Sequence, residues 1–371
     1  MKKKRIILMY ISDVSGHRSA AESVERALRQ VSPQAEVLSI NAFNYTNPLS
    51  EKIVNKLYMG VIQKMPGIWE YLYDNPRIVR KIERFKKSVH KFNSPKLKKL
   101  FDSFRPDVVA CAQAFPCGMV ADYKKARGLK LPLVAILTDY IPHAYWIYDN
   151  VDYYVVPSME VAGHLAAKGV PEEKIKPFGI PFDPKFNEPV DKRLVFKKTG
   201  LDDSLPTVLI MGGGHGLGPI NRIVDSLEKV KKDFQEVIVA GINKRLYKSL
   251  KNKLKQCRKR VLLLGYVNNI HELMSISDLI ITKPGGVTTA EALVKNLPMV
   301  IVRPIPGQEA SNTDFLVKKK AALKIDEIGG IGRVVSDLLD CPDKLSQLRS
   351  SAAAISKPRA SLDIAGLILD I

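Results

Sequence analysis

The chain has 371 residues, 46% hydrophobic and 26% charged, the make-up of an ordinary globular protein with apolar material for two cores. No apolar run reaches the ~18–20 residues needed to span a bilayer. The four scattered cysteines, Cys111, Cys117, Cys257 and Cys341, show neither metal-ligand spacing nor a disulfide framework, which fits a reducing cytoplasm.

Formal net charge is +20, an excess that attracts polyanions such as nucleic acid or an anionic membrane surface. The start, MKKKRIILMYIS, is basic and then apolar. Its apolar part is short for a signal peptide and no cleavage site follows, so it is expected to be the first β-strand. Further strands are expected at Val37–Ile40, Val108–Ala112, Leu133–Leu137, Tyr153–Val156, Thr207–Met211, Val237–Ala240, Val261–Leu264, Leu279–Thr282, Met299–Val302 and Ala322–Ile325. Near-continuous apolar strands alternating with amphipathic segments indicate parallel sheets covered on both faces.

After the first strand, Ser12–Arg18 (S-D-V-S-G-H-R) leads into a helix expected over Ser19–Arg29. A glycine followed by a helix N-terminus suits a ligand, and His17 there is either a general base toward an acceptor hydroxyl or a helix-capping histidine. Leu57–Tyr73 mixes aliphatic residues with Trp69, Tyr71 and Tyr73, and Arg77 to Lys99 carries many cations against the single acid Glu83. Aromatics at headgroup level beside cations suit an anionic bilayer, the alternative being a helix buried on the first sheet.

Between Gly179 and Leu205 the periodicity weakens around Pro181, Pro184 and Pro189. The expected organisation is therefore a domain at residues 1–180, a linker at 181–205, a second domain at 206–355, and a tail at 356–371. The tail's apolar spacing predicts a last helix packing back across the domains. The fold class expected is α/β, two doubly wound Rossmann-like domains facing across a cleft, with ligands at the carboxyl ends of the strands.

Three loops of the second domain carry chemistry. Met211–Pro219 (M-G-G-G-H-G-L-G-P) lets backbone N–H groups approach an anion through Gly213, Gly214 and His215. It is neither a dinucleotide fingerprint nor a P-loop. Thr282–Leu293 (T-K-P-G-G-V-T-T-A-E-A-L) again feeds a helix through Gly285 and Gly286. Thr288 suits a pyrophosphate and Glu291 ribose hydroxyls, while the same two residues could form a capping box. On Arg303–Asn312 (R-P-I-P-G-Q-E-A-S-N), Gln308 and Glu309 suit sugar hydroxyls. A second basic run, Lys244 to Arg260, reads as a solvated helix face.

Together G-G-G-H-G-L-G-P, K-P-G-G-V-T-T-A-E-A-L and P-G-Q-E-x-x-N resemble the monogalactosyldiacylglycerol synthase and processive diacylglycerol glucosyltransferase group. The segments S-G-H-R-S-A-A-E, L-T-D-Y-I-P-H-A-Y-W and D-Y-Y-V-V-P-S are similar to the same group, so the resemblance spans roughly residues 5 to 325. It implies a GT-B inverting enzyme that moves glucose or galactose from a UDP-sugar to diacylglycerol. UDP would meet Gly285, Gly286 and Thr288 with its phosphates, Glu291 with its ribose and Val267 with its uracil, and Gln308 and Glu309 would touch the sugar. On the acceptor side the resemblance implies His17 or Asp139 as base, with Ser15, Gly16, His143 and Trp146 beside the acceptor. The first loop departs from relatives that carry several glycines before the histidine.

No D-x-D motif is present, so no metal and no other cofactor is expected. The expected location is cytoplasmic, peripherally bound to the inner face of the cell membrane. The rival readings are a lipid-intermediate transferase using UDP-N-acetylglucosamine, and a non-catalytic UDP-sugar sensor. A nucleic-acid binder would need a recognition motif or an aromatic platform, and neither occurs.

Overall fold

Runs of β-branched and aliphatic residues form two sheets, parallel throughout, in a computed structural model that describes residues 3–46, 95–141, 146–304 and 307–371. The chain divides into two units. The first holds Met1–Pro184, Ile305–Gln308 and Arg359–Ile371, and the second holds Lys185–Pro304 and Glu309–Pro358.

Among the described residues the first unit contains β1 (Arg5–Tyr10), β2 (Glu36–Asn41), β3 (Val108–Cys111), β4 (Leu133–Ile136), β5 (Tyr153–Val155) and β6 (Ile175–Lys176), in the order β2-β1-β3-β4-β5-β6. Every residue of β3 and β4 is buried, which is why these strands read as unbroken apolar runs. Helix Gly16–Val31 buries Ala20, Ala21, Val24, Ala27 and Leu28, a stripe at helical spacing. Helix Ala360–Asp370 packs on it and buries Ile364 and Ile368, each worth roughly 1.5–3 kcal/mol of transfer free energy. Two polar ties fix that helix to the same unit. The buried Ser361 hydroxyl donates to Phe182 O and accepts from Phe182 N, and Lys4 Nζ donates to Leu369 O at 2.7 Å.

The second unit contains β7 (Thr207–Met211), β8 (Gln235–Val239), β9 (Val261–Leu264), β10 (Leu279–Thr282), β11 (Met299–Val302) and β12 (Ala322–Ile325), in the order β12-β11-β10-β7-β8-β9. Its core gathers Val208, Ile210, Ile238, Ile281 and Val300 from the strands, with Ile223, Leu227 and Val335 from helices.

Two expectations are corrected. Residues 181–205 are not irregular throughout: Asp191 caps a helix, Lys192–Thr199, that Gly200 ends in the left-handed conformation. The prolines that weakened the periodicity lie outside this helix. The second correction is at β8, which starts earlier than expected, on two buried polar residues. Gln235 is accommodated because Nε2 donates to Asp202 O at 2.6 Å and to Thr207 Oγ1 at 2.9 Å, while Oε1 accepts from Asp202 N at 2.9 Å.

Glu236 beside it is 1% exposed, and its Oε2 has no hydrogen-bond partner among the described residues. Burial pushes its carboxyl from an ordinary 4.5 up to about 8, against the lowering pull of Lys259. The folded state then keeps a proton that the unfolded chain releases. Stability from this group is complete below about pH 4.5 and is lost as pH rises toward 8. Glu236→Gln removes that loss. Urea melts at pH 5 and pH 9 should show the wild type falling relative to the variant by on the order of a few kcal/mol. Equal pH dependence of the two proteins would mean that Glu236 titrates as an ordinary carboxylate.

Candidate functional site

In each sheet the strand order reverses once, and open parallel sheets bind ligands at the carboxyl ends of the strands beside that reversal. In the second unit β8 and β9 build out on one side of β7, whereas β10, β11 and β12 build out on the other. The reversal therefore lies between β7 and β10, which run in register with Met211 beside Thr282. The two loops singled out by their glycines leave the sheet at this point.

The loop after β7 is a closed turn. Leu217 N–H donates to Gly212 O and Gly216 N–H donates to Gly213 O, both at 2.9 Å. Gly213, Gly216 and Gly218 have positive φ. The loop after β8 braces it, since Ile242 N–H donates to Gly214 O at 2.9 Å. Asn243 caps helix Lys244–Lys253 and directs Nδ2 to Gly216 O at 3.4 Å. His215 is half-buried within this turn.

The loop after β10 passes through Lys283 and Pro284 to Gly285, the N-cap of helix Gly286–Val294. Glycine at the cap position makes no side-chain cap bond, so the alternative of a capping box that starts at Thr288 is corrected. Thr288 is the third helical residue and not the cap, because glycine occupies the cap position. The helix dipole at this N-terminus favours negative charge. Thr288 and Glu291 are half-buried on this helix.

The loop after β11 opens helix Gln308–Lys318. Gln308 is half-buried at its start. Glu309, expected to face a sugar, accepts from Lys283 Nζ at 2.6 Å, and the two side chains are 13% and 22% exposed. The Lys283 stem also lies against the glycine turn: its Cε is 3.5 Å from where a Cβ on Gly213 would sit. Its Nζ is 3.9 Å from the same position on Gly285. Fully buried Asn312 donates to Pro284 O at 2.9 Å and ties helix Gln308–Lys318 to the β10 loop. Lys283 and Asn312 thus join three loops, and the sequence reading gave neither a role. The one cue was a lysine between strand and glycines in T-K-P-G-G. Val267 is half-buried in the loop after β9, which approaches the others through Gly265 beside Gly241.

In the first unit the reversal lies between β1 and β3. Ser15 is the N-cap of helix Gly16–Val31: Oγ accepts from Arg18 N at 3.2 Å and donates to Ile11 O at 2.9 Å. Its hydroxyl is committed to the cap, and Gly16 is the first helical residue. His17 is therefore not the cap. It sits half-buried in the first turn, and desolvation by the surrounding protein pushes its imidazole from 6.5 down to about 4. Asp13 accepts from Asn41 Nδ2 at 3.0 Å and Asn44 Nδ2 at 3.2 Å, which anchors the loop.

Asp139 is half-buried beyond the end of β4, next to buried Tyr140, whose hydroxyl is pushed up by burial. With β3 between β1 and β4, the strands that lead to His17 and Asp139 run about 10 Å apart. Trp146 is 4% exposed and packs in the core of this unit, so its ring serves the fold and presents almost no face to an acceptor. His143, Leu57–Tyr73 and most of the basic run from Arg77 lie outside the described residues. Among the described residues no helix is long and apolar enough to cross a membrane.

Residues 17–182 match the monogalactosyldiacylglycerol (MGDG) synthase family model, and residues 207–364 match that of the glycosyltransferase family 28 C-terminal domain. The chain is similar to the processive diacylglycerol beta-glucosyltransferase of Bacillus cytotoxicus, 29% identical over 373 residues, covering 100% of this chain and 94% of the relative. The enzyme of the same description from Bacillus subtilis is 29% identical over 353 residues, covering 94% and 90%. Among solved structures, Acinetobacter baumannii MurG aligns with a TM-score of 0.67 at 14% identity, covering 99% of this chain and 100% of that one. That likeness concerns the fold, which is GT-B.

Proposed function

Since the chain belongs to the monogalactosyldiacylglycerol synthase and processive diacylglycerol glucosyltransferase family of GT-B glycosyltransferases, we propose that it moves glucose or galactose from a UDP-hexose to the hydroxyl of diacylglycerol, with inversion. One observation carries this reading. The similarity to the Bacillus glucosyltransferases runs through both units and takes in the loops at both strand-order reversals.

The donor side is the second unit together with Gln308 at the start of helix Gln308–Lys318. The diphosphate lies at the N-terminus of helix Gly286–Val294, against the glycine turn and Thr288. Glu291 holds the ribose, the loop at Val267 receives the uracil, and Gln308 meets the hexose. The first unit is the acceptor side. The acceptor hydroxyl attacks the anomeric carbon on the face opposite UDP, His17 or Asp139 takes its proton, and the bond from carbon to the diphosphate oxygen breaks. Negative charge grows on the diphosphate, where backbone N–H groups already point. The depressed pKa of His17 keeps its imidazole neutral at pH 7, the form able to accept a proton.

The test is a radiolabelled donor assay with diacylglycerol vesicles, run with UDP-glucose, UDP-galactose and UDP-N-acetylglucosamine and read by thin-layer chromatography. Transfer of a hexose to diacylglycerol is expected. Exclusive use of UDP-N-acetylglucosamine, or UDP binding without turnover on any diacylglycerol, would sink the reading. Because no metal is assigned a role, excess EDTA should leave the rate unchanged. Basic residues from Arg77 to Lys99 are assigned to an anionic bilayer, so retention on anionic vesicles should be strong at low salt and lost at high salt.

A further inference from the structure

We propose that apolar side chains at the carboxyl ends of β1, β3, β4 and β5 form a rim that holds a fatty acyl chain of the acceptor. This rests on the diacylglycerol reading above and adds to it the residues that recognise the lipid part of the acceptor.

Diacylglycerol offers one hydroxyl and two apolar chains. His17 and Asp139 deal with the hydroxyl alone. The chains need cover from water, because each methylene removed from water favours binding. Side chains that provide it must be aliphatic or aromatic, accessible, and on the same sheet edge as the two base candidates.

Four residues meet those conditions. Each lies within five residues of the carboxyl end of its strand, and the four strands are consecutive in the sheet. Ile11 directly follows β1, and Phe115 is in the first turn of helix Ala114–Arg127 after β3. Both are half-buried and packed against the core of the unit. Ile141, two residues beyond Asp139, is 45% exposed although Tyr140 before it is buried. Met159 opens helix Met159–Ala166 after β5 and is 66% exposed. Its helix start is fixed, since buried Ser158 Oγ accepts from Val161 N at 3.3 Å.

Three strand spacings separate the ends of β1 and β5, about 14 Å, which gives an acyl chain room to lie across the strands. Single exposed apolar residues are ordinary on a surface, whereas a row of them marks a lipid or partner contact. The acid of the β1 loop does not interrupt this row. Asp13 accepts from Asn41, the last residue of β2, and from Asn44, and β2 lies on the opposite side of β1 from β3.

The test measures kcat/KM of the full chain with UDP-glucose and UDP-galactose as donors. The acceptors are dibutanoyl-, dihexanoyl- and dioctanoylglycerol below their solubility limits. Wild-type kcat/KM should rise with chain length, by up to about fourfold for each methylene buried. The double variant Ile141→Gln with Met159→Gln changes exposed residues and should fold. Its rise should flatten, so that dioctanoylglycerol loses about ten- to a hundredfold more than dibutanoylglycerol. Met159→Leu should keep the wild-type slope, and calorimetry should show unchanged UDP affinity in all variants. Val31→Gln is the control, because Val31 is 52% exposed at the other end of helix Gly16–Val31 and should not affect the slope.

An unchanged slope in the double variant overturns the rim, as does an equal loss on all three acceptors or a loss of UDP affinity. A wild-type dimer that the double variant dissolves, read by sedimentation, makes the row a contact between copies and overturns it too. If the wild type transfers a hexose to none of the diacylglycerols, the acceptor reading itself falls.

Discussion

His17→Ala should reduce turnover by about 10²- to 10⁴-fold, the usual contribution of a positioned general base, while UDP binding stays at the wild-type level. The split matters, because His17 lies in the first unit and the two glycine loops proposed to hold the diphosphate lie in the second. The pH profile tests the assignment independently. Only the neutral imidazole accepts a proton, and burial holds this one at about 4. Wild-type kcat/KM should therefore be flat from about pH 5 upward and fall only as pH drops through about 4. An ordinary histidine would place the fall near 6.5. A limb near 6.5, or a variant with near wild-type turnover, would move the base role away from His17. Asp139→Asn is the companion measurement, since Asp139 is the neighbouring candidate along the same sheet edge.

The second large effect is expected at a residue with no side chain. A Cβ on Gly212 would sit 1.8 Å from the carbonyl oxygen of Leu217 and 2.6 Å from its nitrogen. These are backbone atoms of a turn closed by the Leu217 N–H bond to Gly212 O, so no rotamer change relieves the clash. Gly212→Ala must open the turn by an ångström or more, at a stability cost of roughly 1–3 kcal/mol. The functional loss should be larger. The turn frames the donor diphosphate in the proposed reaction, and a 1 Å misplacement there costs about 10²-fold in rate. The prediction is a folded protein with a modestly lowered Tm and UDP affinity reduced by about 10²-fold. Wild-type UDP affinity in this variant would show that the turn does not touch the donor.

The inner strands were legible because both of their faces are covered, so β3, β4 and β10 read as unbroken apolar runs. β6 was missed because it is two residues long and one of them is Lys176. The helix Lys192–Thr199 was missed because flanking prolines drew attention from a cap at Asp191 and a stop at Gly200, both of which the residues themselves signalled. The glycine loops were legible as tight backbone turns at the carboxyl ends of the strands. Their partners were not, because partnership here is a matter of which strands lie side by side. Lys283 and Glu309 are 26 residues apart and meet only because β10 and β11 are neighbours. In the same way the hydroxyl of Ser15 looked available to an acceptor until its cap was seen, and Trp146 looked like a site residue until its burial was seen.

The helix Ala360–Asp370 gives the chain a discontinuous history. The first unit leaves the ribosome first, yet the hydroxyl that serves both backbone groups of Phe182 belongs to Ser361. The first unit is thus among the last parts of the molecule to be finished, after the entire second unit has been translated. A chimera that joins the front half of one relative to the back half of another at Pro184 would mismatch this helix with the surface of Gly16–Val31. Exchanging three pieces, with the last helix travelling alongside the front half, keeps the fold of the first unit with its own closing element.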